Sequence, residues 1–141
     1  MTVADRLPDG QRTTLQERLA RAGFAQQNRW NAARMLLLEH DAALLGRLAE
    51  QYKLRLYYLT GPRASAATTP AALADELRGV EPTGNNTRLG AGLTTVLADL
   101  RGSPPAAIVL LSDGINTDGP NLSAAAAVAR RKGVPLFTVG I

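Results

Sequence analysis

From Arg88 to Arg101, leucine and valine recur at three- and four-residue steps (Leu89, Leu93, Val96, Leu97, Leu100), with polar positions between them. That period predicts a helix with one buried face, stopped by Gly102 ahead of Pro104 and Pro105. Ala106–Leu111 (AAIVLL) is an uninterrupted apolar run of strand length. Runs of this kind belong to parallel strands covered on both faces. The loop SDGINTDGPN follows, then a helix over Leu122–Lys132, capped by Asn121 or Ser123 and ended by Gly133. Val134–Val139 (VPLFTV) is a further strand. Strand, helix, strand is a βαβ unit, and such units close right-handed in nearly all cases.

The N-terminal half carries a weaker pattern. Met1–Thr13, with Pro8, Asp9 and Gly10, reads as a loop, and Leu15–Ala22 as a short helix ending near Gly23. A longer helix is expected over Asn28–Gln51, where Trp30, Ala33, Leu37, Leu44 and Leu48 form one apolar stripe. Arg29, Arg34, Glu39, Arg47 and Glu50 lie largely off that stripe, whereas His40 falls on or beside it and reads as a packing residue rather than a ligand. Tyr52–Leu59 (YKLRLYYL) alternates Lys53 and Arg55 with Leu54 and Leu56, which predicts a strand away from the sheet centre. Thr60–Thr69 is expected to be loop, Pro70–Arg78 a short helix with proline in its first turn, and Gly79–Asn86 a second loop. The whole predicts an α/β fold of three layers, doubly wound around a mostly parallel sheet. Residues 1–27 read as a loop and short helix set ahead of a core at 28–141, one domain in all.

Composition narrows the chemistry. The chain has 141 residues, 45% hydrophobic and 20% charged, which is globular rather than disordered. With no cysteine, disulfides, zinc fingers and thiol nucleophiles are excluded together, and the single histidine leaves no imidazole pair for zinc. Aromatics are 4%, too few for base-stacking platforms. The net charge of +4 comes from arginines scattered singly, apart from Arg130-Arg131-Lys132, and reads as a solvated surface with no nucleic-acid partner. No apolar stretch approaches the ~20 residues of a bilayer span, and Met1–Gly10 has no apolar signal region. The polar start and the strand-like stop at VGI both read as cut ends.

Two residues carry candidate chemistry. Asp113 follows the AAIVLLS strand, the end where open α/β sheets bind ligands, and its carboxylate suits magnesium, manganese or calcium. A turn or cap residue is the competing reading. Thr87 stands at the start of the amphipathic helix in GNNT, as an oxygen ligand or, with Asn86, as a plain N-cap. Asp75-Glu76 reads as a solvated face. Gly90-Ala91-Gly92 lacks the third glycine of a dinucleotide fingerprint, and neither a Walker loop nor a GxSxG elbow is present.

Together, GNNTRLGAGL, IVLLSDGINTDG and GVPLFTVGI resemble the von Willebrand factor type A domain, over about Asn28–Ile141. The resemblance implies a metal-ion-dependent adhesion site to which Thr87 and Asp113 contribute, Ser112 standing where many members have threonine. It implies a protein-interaction module without enzymatic activity, binding a partner's acidic group through Mg2+ or another divalent cation. The family's first, central strand ends in DxSxS, which this sequence lacks. Met1 resembles the methionine that follows that motif, so the resemblance implies a domain truncated just after it. A softer resemblance is to bacterial membrane-anchored members that also carry a glutamine-amidotransferase-like domain. Magnesium asks for about six oxygens, and Thr87 and Asp113 supply two, so weak or absent metal binding is expected. A missing central strand would also expose strand edges to self-association. The alternatives are a magnesium-dependent phosphoryl-transfer or receiver-like domain using Asp113, and an inactive structural fragment.

Overall fold

The computed structural model describes residues 9–21, 23, 28–59, 63–81, 88–100, 102–112, 115 and 119–141. The chain divides into two compact units, one of Met1–Arg55, Ala67–Pro82 and Ile141, the other of Leu56–Ala66 and Thr83–Gly140.

The first unit is helical. Helix α1 spans Asp9–Arg21, so the expected loop over Met1–Thr13 is already helical from Asp9. Asp9 and Gly10 fall in its first turn, where turn-forming residues cost little, and the good helix formers after them carry it on. Helix α2 covers Arg29–Ala49 and is capped by Asn28, whose side chain accepts the Asn31 N–H at 2.8 Å. It is not the continuous helix the periodicity predicts. Glu39 is extended (φ −56°, ψ 141°), and His40, Asp41 and Ala42 stand at φ of 53°, 56° and 59°. Each left-handed non-glycine residue costs about 1–2 kcal/mol. Arg18 of α1 reaches Glu39 at 2.7 Å across this interruption. His40 is exposed there, so it is not the packing residue expected from its place on the stripe.

The apolar stripe is also redistributed. Asn31, Met35, Ala42 and Leu45 are buried, whereas Leu44 and Leu48 are 40% and 38% exposed. An alanine- and leucine-rich helix offers two apolar faces, and spacing alone cannot choose between them. Helix α3, Pro70–Gly79, begins as predicted, with Pro70 in the first turn and the Thr69 hydroxyl accepting the Ala72 N–H at 3.2 Å. It packs on α2 and buries Leu73, Ala74 and Leu77. Trp30 donates its indole N–H to the Val80 carbonyl at 3.2 Å, and Arg34 donates to the Arg78 carbonyl. These α2 donors satisfy carbonyls that the end of α3 leaves without a helical partner. Arg78 pairs with Asp75 at 2.7 Å and with Asp41 at 3.3 Å.

Among the described residues, the strands lie in the second unit. Of the strand expected at Tyr52–Leu59, only β1, Tyr57–Tyr58, forms, antiparallel to β2, Arg63–Ala64, within the segment expected to be loop. A strand exists only where its backbone finds a ladder partner, and the side-chain alternation cannot supply one. Helix α4 spans Leu89–Asp99 and buries Leu89, Leu93, Val96 and Leu97, as the spacing predicts. Strand β3 (Ile108–Leu111), helix α5 (Leu122–Arg131) and strand β4 (Leu136–Val139) form the βαβ unit. The two strands are parallel, with Ile108 opposite Leu136 and Leu111 opposite Val139. Asn121 is the α5 cap, accepting the Ala124 N–H at 2.8 Å.

The core of this unit gathers Leu93, Leu97, Ala125, Ala129 and Val134, with Ile108 and Leu136 against it. The other face of the pair is open: Val109 is 60% exposed and its cross-strand neighbour Phe137 58%. The apolar AAIVLL run is therefore covered on one face, not on both. The fold is α/β. The described residues form two two-stranded sheets, one antiparallel and one parallel, in place of the larger, mostly parallel sheet.

Candidate functional site

The N-terminal end of α4 and the segment leading into α5 meet through glycine. A Cβ on Gly90 would overlap the Pro120 carbonyl oxygen and stand 2.8 Å from the Asn121 carbonyl oxygen. Only a residue without a side chain lets the first turn of α4 lie on the backbone that leads into α5. Gly119, at φ 79°, makes the turn there, with the Ala91 Cβ 3.9 Å from where its own Cβ would be. Two residues along α4, Gly92 admits Leu59, whose Cδ2 would lie 2.8 Å from an added Cβ. The GAG sequence thus has a packing role. The signal was present in the sequence, since a glycine inside a helical pattern costs about 1 kcal/mol against alanine and marks a close approach.

Thr87 and Asp113 lie outside the described residues, as does the Gly79–Asn86 loop from residue 82 onward. Their nearest described chain neighbours are Arg88 and Ser112. Arg88 takes the N-cap position of α4 (φ −107°, ψ 61°) and makes no side-chain cap bond. Ser112 is half-buried at the end of β3, its N–H donating to the Val139 carbonyl at 3.0 Å. This bond extends the parallel ladder one residue beyond Leu111.

The electrostatics are those of a helix terminus. The N-terminal end of α4 carries the positive end of the helix dipole, and no acidic residue lies in its first turn. Among the described residues, no three histidine, cysteine, aspartate or glutamate side chains are gathered as a metal cluster. The candidate donors in the sequence are the carboxylate of Asp113 and the hydroxyl of Thr87. Such hard oxygens suit a divalent cation in kind, and fall short of magnesium's six in number. Tyr57 donates its hydroxyl to Asp99 at 2.7 Å, tying β1 to the far end of α4.

Residues 62–141 match the family model of the von Willebrand factor type A domain. The match covers more than half of the chain, which therefore belongs to the von Willebrand factor type A domain family. No curated protein and no solved structure matches the chain. Membership brings the coarse properties of the family: an α/β fold, a general role in protein interaction, and typical use of a divalent cation. No helix among the described residues is long and apolar enough to cross a membrane.

Proposed function

We propose that this chain is a protein-interaction module and not an enzyme, and that its recognition end is the junction of α4, the end of β3 and the segment before α5. The family match over residues 62–141 supports this reading, together with the close backbone contact of Gly90, in the first turn of α4, with Pro120. Asp113 contributes a carboxylate and Thr87 a hydroxyl to a divalent cation, and an acidic group of the partner completes the coordination. Two protein oxygens hold magnesium weakly or not at all, so cation and partner bind together or neither does.

The test is retention of a carboxylate-rich peptide by the immobilised chain, with magnesium raised into the millimolar range and then removed by chelator. Retention is expected to follow magnesium and to be lost in Asp113→Ala and Thr87→Ala. Retention indifferent to magnesium and to both substitutions would overturn the site. Micromolar magnesium affinity by calorimetry, without peptide, would overturn the weak-cation reading.

The same reading extends to self-association. Among the described residues β3 pairs with β4 alone, and an open strand edge is a template for another chain. Sedimentation at rising concentration is expected to show a monomer–dimer equilibrium, and a concentration-independent monomer would exclude it.

A further inference from the structure

We propose that α2 is a two-state element, in which a helix interrupted at Glu39–Ala42 exchanges with an uninterrupted one and ion pairs to Arg18 and Arg78 latch the interrupted form. The inference starts from a mismatch between backbone and sequence. His40, Asp41 and Ala42 are three successive left-handed residues, none of them glycine. The clash of Cβ with the following carbonyl oxygen disfavours each of these by on the order of tenfold. Sharp helix breaks have identifiable causes, chiefly proline, glycine or an inserted group. No proline or glycine lies between Arg29 and Leu45, and the leucines, alanines and Glu39 around the break are good helix formers.

What stands at the break is charge. Glu39 pairs with Arg18 of α1 at 2.7 Å, and Asp41 with Arg78 of α3 at 3.3 Å. The two contacts engage the break from different helices. Each is exposed, and exposed pairs contribute little singly, so the latch is weak enough to release.

Release has a structural consequence. In an uninterrupted helix Leu37, Leu44 and Leu48 follow one another at seven- and four-residue steps and line up on one face. Leu44 and Leu48 are already among the exposed large apolar residues. The break therefore governs whether α2 displays a continuous leucine stripe, the form in which helices dock on apolar surfaces.

Amide hydrogen exchange on the full chain tests this. A helix restarted after a break leaves its first-turn N–H groups without helical acceptors, so exchange at residues 43–45, relative to residues 33–36 of the same helix, reports the two states. His40→Gly accepts the left-handed backbone freely and weakens the continuous helix, so the relative exchange is expected to quicken by about tenfold. Arg18→Ala with Arg78→Ala removes the latch and is expected to slow it several-fold. Raised ionic strength acts on the wild-type chain in the same direction, which keeps the test available if the double variant does not fold. A relative exchange rate that is the same in wild type, His40→Gly and high salt would overturn the two-state element. An effect of His40→Gly without any effect of salt or of the arginine substitutions would overturn the latch.

Discussion

Gly90 lays its bare Cα on the backbone of Pro120, and a methyl group there would overlap the Pro120 carbonyl oxygen. Gly92, one half-turn further, meets only the side chain of Leu59. The two glycines share one helix and differ in what would have to move. Gly90→Ala must displace backbone, so overpacking of about 1–3 kcal/mol outweighs the gain of about 1 kcal/mol in helix propensity. Gly92→Ala asks a flexible leucine to shift, and the two effects nearly cancel. Urea denaturation should show a lowered midpoint for the first substitution and little change for the second. Equal loss in both would refute the backbone contact.

The parallel pair supplies a contrast between its two faces. Leu110 is buried, and Leu110→Ala is expected to cost about 2–5 kcal/mol, the range for large-to-small core changes. Phe137 is mostly exposed, and Phe137→Ser should cost less than about 1 kcal/mol, as exposed substitutions do. The same substitution should lower binding of a hydrophobic dye, because it removes half of the exposed Val109–Phe137 pair. A large loss of stability in Phe137→Ser would mean that this face is covered in solution.

The Tyr57 hydroxyl donates to the Asp99 carboxylate at 2.7 Å in an exposed setting. Tyr57→Phe and Asp99→Ala should each weaken the unit, with a coupling of about 0.5–1.5 kcal/mol in a double-mutant cycle. Zero coupling would show that water replaces the bond without loss.

The Arg18 hydrogen bond holds the Glu39 carboxyl below the ordinary glutamate range; desolvation opposes it, and the charges of Arg18 and His40 act in the same direction as the bond. The lowered value fixes the sign of the pH effect. As pH falls, the unfolded chain takes up this proton first, so the contribution to stability is complete above the ordinary glutamate value. It is lost between that value and the lower folded one. Unfolding midpoints of wild type and Glu39→Gln should therefore converge on acidification through this window and differ slightly above it. The difference should shrink with salt, since the pair is exposed.

What was legible in the sequence depended on how local the deciding interaction is. Helix α4 was readable because Leu89, Leu93, Val96 and Leu97, spaced for one helical face, are all buried, with Leu100 half-buried, and β3–α5–β4 because two apolar runs flank a helix of fitting length. The Tyr52–Leu59 alternation was not enough, since a ladder partner decides a strand and only Tyr57 and Tyr58 have one. In α2, Leu44 and Leu48 satisfied the periodicity as well as Ala42 and Leu45 did, and tertiary packing chose the latter pair. The break at His40 has no local sequence cause and could not be read at all. For the candidate site, Thr87 and Asp113 were chosen by residue type and resemblance. Gly90 carries no chemistry, and its packing role emerges only from the path of the backbone it touches.

The register of β3 with β4 bears finally on the order of folding. The two strands are joined through α5 within a stretch of about 30 residues, so closing this loop costs little more entropy than closing a much shorter one. Its core residues Ala125, Ala129 and Val134 come from the same stretch. Contacts between residues near in sequence lose less chain entropy on closure, which favours their early formation. The βαβ unit is thus the natural nucleus of the chain, and substitutions at Ala129 or Val134 should slow refolding, while those on α1 should mainly quicken unfolding.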